Sequence, residues 1–172
     1  KLALAKTYRR QTIFSDTCPE HMAPAAGMAA IVSHPLQVIC LQPRSQQLQD
    51  VMATGRIALS QFCLGAGVEF LHFNVYGWDG AHENQVAAAR TDALFAAIKA
   101  ECDRRRGTPI MISGDFNADT EDIATLQQML DEEGWTDVGA QGHRWGARQD
   151  EATCWAPNSG LSGTRRDFII AN

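Results

Sequence analysis

The hydrophobic and polar positions in the first part of the chain follow the short periods of strands. Residues 7–14 alternate loosely, and two apolar runs follow at residues 27–33 and 36–41, separated by His34 and Pro35. Short apolar runs bounded by turn residues are typical of strands. The pattern therefore predicts a strand at residues 7–14 and a hairpin-like pair of strands from the two later runs.

Two longer strands are predicted next, at residues 56–62 and 68–76. They flank Gly65, Ala66 and Gly67, which supply a turn. In the second of these strands, apolar residues occupy both faces. This distribution is typical of a strand inside a sheet that is covered on both sides.

The period changes to that of a helix between residues 83 and 106. Its apolar stripe begins with Val86, and the stripe recurs at spacings of three and four residues. We place Asp92 and Glu101 on the exposed face of this helix. The arginines at 104–106 close it, where cations complement the helix dipole, although a contact with phosphate is the alternative.

A second helix is predicted at residues 121–133, with Asp119 or Thr120 as its cap and Gly134 after its end. Turn-rich segments separate the remaining elements. These are a strand at 135–138, a loop at 139–151, and strands at 152–155 and 166–171. The order of strands, helix, strand, helix and strands predicts an α/β fold with two sheets sandwiched between helices.

The stretch with the clearest chemistry lies between the two helices. An apolar run at residues 110–112 leads to Gly114, Asp115, Phe116 and Asn117. In extended backbone, Asp115 and Asn117 project to the same side. A carboxylate beside an amide can orient a water molecule, bind a hard cation, or do both. The alternative is a turn in which the two side chains bond their own backbone.

Length and composition indicate an ordinary globular protein. The 172 residues predict one domain, and 45% of them are hydrophobic and 20% charged. The formal net charge of −5 argues against nucleic-acid binding through overall charge, but it leaves room for a local basic surface. No apolar run is long enough for a membrane span, so we predict no membrane partner.

The five cysteines are too few and too scattered for a disulfide framework. They lie at positions 18, 40, 63, 102 and 154, without a Cys-x-x-Cys spacing. Cys40, Cys63 and Cys102 fall in apolar segments, so we interpret them as small core residues. This usage predicts an intracellular, reducing compartment, nuclear or cytoplasmic.

Several motifs, in this order and spacing, resemble the endonuclease/exonuclease/phosphatase superfamily. They are Asn74–Tyr76, Ser113–Asn117, Thr153–Trp155 and Arg166–Ile169, preceded by an early strand at 27–33. The resemblance spans residues 27–171. It implies an α/β fold, a four-layer sandwich of two mixed, mostly antiparallel sheets flanked by helices. Segments 76–82 and 133–138 are most similar to endonuclease domains of non-LTR retrotransposons.

The resemblance also implies roles for individual residues. Asp115 would activate or orient the attacking water, and Asn117 would hold that water and the phosphate oxygens. Both would be ligands of Mg²⁺ or Mn²⁺. Tyr76 would bond the scissile phosphate, and Asp167 would orient a catalytic histidine.

Three more residues are assigned to substrate binding by the same resemblance. Asn74 and Trp155 would support the pocket, and Thr153 would add a hydroxyl group. The implied substrate and partner is DNA, and the implied reaction is metal-dependent phosphodiester hydrolysis. We predict no protein partner.

The sequence departs from the family pattern at both ends. The family has a metal-binding glutamate near its N-terminus and a Ser-Asp-His ending, and neither Glu20 nor Gln42 lies in a matching context. His82 and His143 are poor replacements for the missing histidine, because a base must reach the water or Asp167. We therefore expect residues 1–172 to form one incomplete domain, truncated at both termini.

Three functional interpretations follow. The first is a DNA endonuclease whose 172-residue chain alone gives little or no turnover, because the principal metal ligand and the histidine are absent. The second is a phosphatase or lipid phosphodiesterase of the same superfamily. The third is a catalytically inactive, decayed retroelement-derived domain or a binding module.

Overall fold

The computed structural model describes residues 10–14, 28–33, 36–155 and 163–172. Its strands are β1 (Arg10–Phe14), β2 (Ala29–Ser33), β3 (Gln37–Cys40), β4 (Ile57–Gly65), β5 (Val68–Tyr76), β6 (Ile110–Asp115), β7 (Thr136–Asp137) and β8 (Asp167–Ala171). Its helices are α1 (Gln46–Met52), α2 (Gln85–Asp103) and α3 (Ala124–Glu132), with 3-10 turns at Thr120–Asp122 and Gly142–Trp145. The α/β class predicted from the sequence is confirmed.

The strands in the described part of the chain form two sheets. One is the antiparallel pair β1–β2, and the other has six strands in the order β3-β4-β5-β6-β8-β7. The pairs β3–β4 and β7–β8 are antiparallel as well. The long strand β5 and the buried strand β6 are neighbours in the larger sheet, as expected for strands with apolar residues on both faces.

The chain divides into two compact units. The first comprises residues 1–74 and 97–111, and the second comprises residues 75–96 and 112–172. The segments β5, β6 and α2 each contribute residues to both units. The prediction of a single domain therefore stays a prediction.

The turn between β4 and β5 forms as its residues require. Gly65, Ala66 and Gly67 have φ angles of 87°, 52° and 77°, in the left-handed region that glycine adopts without steric cost. Positive φ at the two central residues is the signature of the type I′ turn that joins antiparallel strands. The predicted pair of strands at 56–62 and 68–76 is present with a longer first strand.

The predicted hairpin of the two early apolar runs is wrong. Both runs do form strands, but β2 pairs with β1 and β3 pairs with β4, so they belong to different sheets. The apolar pattern located the strands, whereas the pairing depends on which neighbours cover them. Pairing partners are not encoded in the pattern of a single strand.

Sequence analysis missed helix α1. Ser45 is its N-cap, and the Ser45 hydroxyl accepts a hydrogen bond from the backbone N–H of Leu48 at 3.2 Å. Leu48 is fully buried, and Val51 and Met52, which follow it by three and four residues, are half-buried. This spacing and the serine cap were both signals of a short helix, and neither was used.

The placement of Glu101 on an exposed face of α2 is wrong. Its carboxylate is fully buried and accepts hydrogen bonds from the backbone N–H groups of Arg44 and Ser45, each at 2.9 Å. The Arg105 side chain donates to it at 2.6 Å. The helix was predicted correctly, and the later positions of its apolar stripe are buried as predicted, namely Leu94, Ala97, Ile98 and Cys102. Its first position, Val86, is 64% exposed instead.

The cysteines differ in burial. Cys102 is buried as predicted, Cys63 is half-buried, and Cys40 is exposed, so the core assignment of Cys40 is wrong. These three and Cys154 are free thiols, and Cys18 lies outside the described residues. Separately, no helix in the described ranges combines the length and apolar character needed to cross a membrane.

Candidate active site

Two glycines in the second unit bring two chain segments into direct contact. A Cβ atom at Gly114 would lie 1.9 Å from the carbonyl oxygen of Val75, and one at Gly77 would lie 1.9 Å from that of Phe116. Gly114 also has a φ angle of 143°, which side chains disfavour. The backbone N–H of Gly77 donates to the Asp115 carbonyl at 2.8 Å. The end of β6 is thus fixed against the end of β5.

The side chains of the two segments form one hydrogen-bonded cluster. Asn117 donates from its backbone N–H to Oδ1 of Asp115 at 3.0 Å, and from its side-chain amide to the Gly77 carbonyl at 3.2 Å. The same amide lies 3.3 Å from Oδ1 of Asp79, which also accepts the Tyr76 hydroxyl at 3.0 Å. One oxygen of Asp79 therefore joins Tyr76 to Asn117. We call Tyr76, Asp79, Asp115 and Asn117 the carboxylate cluster.

Phe116 anchors the carboxylate cluster to the core. Its ring is fully buried and makes an edge contact with Phe95 of α2, with 4.8 Å between ring centroids. It is stacked on Phe168 of β8, with 5.1 Å between ring centroids. Asn117 follows with a φ angle of 53°, a conformation that asparagine tolerates better than most residues. Phe116 is packed inside as predicted, but the extended backbone ends at Asp115. The bond from the Asn117 backbone N–H to the Asp115 side chain is that of the turn considered as the alternative, so both interpretations hold in part.

The start of β8 lies beside this cluster. The Thr153 hydroxyl accepts the backbone N–H groups of Arg166 and Asp167 at 2.9 and 3.0 Å. Phe116 donates its backbone N–H to the Arg166 carbonyl at 2.8 Å. These bonds fix Asp167, whose side chain is exposed, at the first position of the strand. Thr153 thus has a structural role at the site.

The surroundings of Asp115 raise the pKa of its carboxyl group. The largest cause is burial, which disfavours the charged form. The hydrogen bond from Asn117 lowers the pKa, the negative charges of Asp167 and Asp79 raise it, and the Arg166 cation lowers it. The net effect is upward, so Asp115 is a stronger base than an ordinary aspartate and lies in a surplus of negative charge.

Such an arrangement has two chemical uses. A carboxylate with a raised pKa can accept a proton from water, and an amide fixed beside it can hold that water or an anionic oxygen. The surplus of negative charge favours a bound cation, and oxygen ligands favour a hard one. The geometry suits hydrolysis of an anionic ester assisted by a divalent metal.

No protein-family model matches the sequence, and no curated protein matches it. Solved structures match over nearly the whole chain. The catalytic domain of Xenopus laevis APE2 matches with a TM-score of 0.64 and 17% identity, covering 95% of this chain and 66% of that one. The 3′-5′ exonuclease NExo from Neisseria meningitidis matches with a TM-score of 0.64 and 17% identity, over 99% of this chain and 70% of that one.

A third match is the endonuclease domain of TRAS1, a telomere-specific non-LTR retrotransposon, with a TM-score of 0.57 and 16% identity. It covers 99% of this chain and 77% of that domain. The chain adopts the endonuclease/exonuclease/phosphatase fold. It spans slightly less than two thirds of the length of the Xenopus domain.

Within this fold, the residues assigned as catalytic lie in one unit. Tyr76, Asp115 and Asn117 are connected through hydrogen bonds, and Asp167 is close enough for its charge to act on Asp115. Their roles in catalysis stay predictions.

The other predicted substrate-binding residues differ in their surroundings. Asn74 belongs to the first unit, where it lines a cavity of about 320 Å³. Trp155 is 57% exposed and lies against Gly163. Only Thr153, which bonds the backbone of Asp167, contacts the start of β8 directly.

The two histidines considered as replacements make other contacts. Nε2 of His82 lies 3.3 Å from the carboxylate of Glu83. His143 is exposed in a 3-10 turn. Neither is hydrogen-bonded to Asp115 or Asp167 in the described part of the chain, as expected for poor replacements of the catalytic histidine.

Sequence analysis missed Asp79 and Arg166 as parts of the site. Asp79 connects Tyr76 to Asn117, and the Arg166 side chain is nearly buried and bonds Asp119 at 3.3 Å. Both residues lie inside the quoted motifs. Their positions within these motifs could have drawn attention to them. However, no rule of spacing predicts that the carboxylate of Asp79 accepts a hydrogen bond from the Tyr76 hydroxyl.

Proposed function

We propose that this chain carries the hydrolytic site of a divalent-metal-dependent DNA endonuclease, built on Tyr76, Asp115, Asn117 and Asp167. The observation that carries the proposal is the carboxylate cluster, in which Asp79 joins Tyr76 to Asn117 and Asn117 bonds Asp115. The matches to a 3′-5′ exonuclease and to a retrotransposon endonuclease domain support this reaction class.

The residues present fit a metal ion held by few protein ligands. In the described residues, no three histidine, cysteine, aspartate or glutamate side chains are placed to hold a metal together. Mg²⁺ keeps several waters and needs only one or two carboxylates, so Asp115 and Asn117 would hold it or Mn²⁺. When bound, the cation supplies charge stabilisation at the phosphate oxygens and lowers the pKa of a bound water.

Each residue has a defined task in this proposal. Asp115 orients the attacking water and accepts its proton, a role that its raised pKa favours. Asn117 fixes the water and one phosphate oxygen through its side-chain amide. Tyr76 donates its hydroxyl hydrogen to another phosphate oxygen, in exchange for its bond to Asp79. Asp167 orients a histidine, as the family resemblance implies.

We expect the 172-residue chain to bind the metal but to hydrolyse DNA slowly. The described residues supply only part of a metal-ligand set, and His82 is engaged with Glu83 rather than with Asp167. A catalyst without a positioned acid at the leaving oxygen loses about 10²- to 10⁴-fold in rate.

Metal binding is tested first, without any need for turnover. Mn²⁺ is titrated into isotope-labelled protein, and paramagnetic broadening of backbone amide signals is recorded by NMR. We expect broadening centred on Asp115 and Asn117, and its loss in Asp115→Asn. The matched control is Asp131→Asn, which alters an exposed carboxylate of α3 in the same unit. Broadening that is centred elsewhere would overturn the proposed metal site.

The reaction is tested with three substrates at equal protein concentration. They are supercoiled plasmid, an oligonucleotide with a 3′-phosphate, and a phosphoinositide, each with Mg²⁺. We expect slow nicking of the plasmid that is lost in Asp115→Asn. Faster release of inorganic phosphate from the second or third substrate would favour the phosphatase alternative, and release of a phosphorylated headgroup from the phosphoinositide would favour the lipid phosphodiesterase. Strong nicking would contradict the expected low turnover.

A further inference from the structure

One exposed arginine of the second unit is fixed on an aromatic ring next to the carboxylate cluster. The guanidinium carbon of Arg90 lies 5.0 Å from the centroid of the Trp78 ring. Trp78 lies between Tyr76 and Asp79 in sequence, at the exit from β5. We propose that Arg90 binds a DNA backbone phosphate that neighbours the scissile one, a positioning role that rests on the proposed function.

The backbone of Trp78, the residue whose ring lies beneath Arg90, is held to the same helix. The backbone N–H of Trp78 donates to the Thr91 hydroxyl at 2.9 Å, and Thr91 is fully buried on α2. Arg90, which stacks on Trp78, and Thr91, which bonds the Trp78 backbone, are thus consecutive residues of one helix. A guanidinium that already stacks on an aromatic ring loses less conformational freedom when it binds a ligand.

The charge environment of Arg90 differs from that of other arginines in the chain. Arg105, Arg165 and Arg166 each bond a carboxylate, with closest distances of 2.6, 2.5 and 3.3 Å. Across the described ranges, no carboxylate lies within ion-pair distance of Arg90. Stacking uses the face of the guanidinium and leaves its N–H groups, which lie in the plane, directed outward. Those donors match the oxygens of a phosphate.

Arg90 is assigned a neighbouring phosphate rather than the scissile one because of its contacts. In the described part of the chain it makes no hydrogen bond to the carboxylate cluster, whose members bond one another. It stacks instead on Trp78, the residue next to Asp79 in sequence. A polynucleotide offers a second phosphate there, whereas a compound with one phosphodiester does not. The inference thus names a polynucleotide as the substrate class.

The experiment compares DNA binding by the full 172-residue chain with binding by two variants. Fluorescence anisotropy measures the affinity for a labelled duplex over a range of salt concentrations, in EDTA so that no metal-dependent cleavage occurs. Arg90→Gln removes the cation, and Arg106→Gln removes an arginine whose side chain is 84% exposed in the first unit. Both are exposed positions, so both variants are expected to fold.

For Arg90→Gln, we expect an affinity loss of about fivefold, as for a surface ion pair. The slope of log affinity against log salt should become less steep by about 1, the value for one lost phosphate contact. Arg90→Lys should keep most of that slope, because the charge remains, but not all of the affinity, because the planar stack is lost. Arg106→Gln should change neither quantity.

Two results would overturn the inference while leaving the proposed function intact. One is wild-type DNA binding that Arg90→Gln leaves unchanged in affinity and in salt slope. The other appears in an NMR titration with the dinucleoside phosphate TpT, which has a single phosphodiester. If Arg90→Gln weakened TpT binding as much as duplex binding, Arg90 would hold the same phosphate as the carboxylate cluster. Absence of any DNA binding by the wild type would overturn both proposals.

Discussion

The chain has two partly or fully buried carboxylates with opposite surroundings. Glu101, in the first unit, accepts two backbone N–H groups and the Arg105 side chain, and these lower its pKa although burial alone raises it. Asp115, in the second unit, accepts one backbone N–H group and lies near two other carboxylates. Burial and those negative charges raise its pKa.

The difference separates a structural carboxylate from a functional candidate. Glu101 has donors for its charge within its own unit, so the fold alone accounts for its burial. The charge of Asp115 has one backbone donor and the Arg166 cation in its favour, but burial and two neighbouring carboxylates act against it with the larger net effect. Groups held in an unfavourable charge state at a partly open position are typical of sites that bind something. Substitutions at and around the two carboxylates test this difference.

The largest effect on stability is expected from Gly114→Ala, which would push the backbone next to Asp115 away from Val75. The new methyl group would meet the Val75 carbonyl oxygen, and the φ angle of 143° would be strained as well. We expect a loss of about 4 kcal/mol in unfolding free energy, measured by urea denaturation. The control is Gly80→Ala, at a φ angle of 75° with open space around it, which should cost about 1 kcal/mol. Equal losses would contradict the close approach of the two segments.

Glu101→Gln should give the next largest effect. It removes the charge that pairs with Arg105 and turns one acceptor oxygen into a donor facing backbone N–H groups. We expect a loss of about 3 kcal/mol at neutral pH. Because the folded-state pKa of Glu101 is lowered, its contribution is present above the ordinary value of 4.5 and is lost as the pH falls through the folded-state pKa. The loss caused by the variant should therefore shrink in acid.

The matched control for Glu101 is Glu132→Gln, which alters an exposed carboxylate at the end of α3. Its unfolding free energy should stay within about 0.5 kcal/mol of the wild type. A loss as large as that of Glu101→Gln would show that the effect of removing a carboxylate charge does not depend on its burial.

Asp79→Ala should have a smaller effect on stability and a clear one on the cluster. It removes the acceptor of Tyr76 and Asn117 at an exposed position, at a cost of about 1 kcal/mol. Loss of a neighbouring negative charge should also lower the pKa of Asp115, which carboxyl-carbon NMR measures across a pH titration. A pKa of Asp115 that stayed fixed would mean that Asp79 does not act on it.

The smallest expected effect is a gain in stability from Asp115→Asn. Because the folded-state pKa of Asp115 is raised, its contribution to stability is greatest below the ordinary value of 3.8 and is lost as the pH rises through the folded-state pKa. Removing the charge should therefore raise the melting temperature at pH 7, and the gain should vanish in acid. A lower melting temperature at pH 7 would make Asp115 a structural carboxylate like Glu101.

Local chemistry made much of the fold predictable. The strand ending in Asp115, the turn at Gly65–Gly67 and the helix that ends before Gly134 each follow from short-range preferences. The pairing of β2 and the burial of Glu101 depend on residues far away in sequence. A glutamate next to Cys102 on an amphipathic helix reads as exposed unless the N-terminus of α1 is known to dock there.

The candidate site shows the same division. Asp115 and Asn117 were found through their spacing on one strand, and Tyr76 and Asp167 through the family resemblance. Asp79 was missed because its role arises from a loop that turns back on β5. Arg90 lies within the helix predicted at residues 83–106, and its stacking on Trp78 becomes visible only in three dimensions.

The contact of the three rings of Phe95, Phe116 and Phe168 has a consequence for mutational tolerance. Phe116 lies between Asp115 and Asn117, and its ring packs against one ring from α2 and one from β8. In a saturation library selected only for folding, position 116 should accept little besides large apolar residues, while position 115 should accept many. Position 117 should accept those residues that tolerate a φ angle of 53°. In a library selected for function, all three positions should become restricted. Comparing the two selections would distinguish residues retained for packing from residues retained for chemistry.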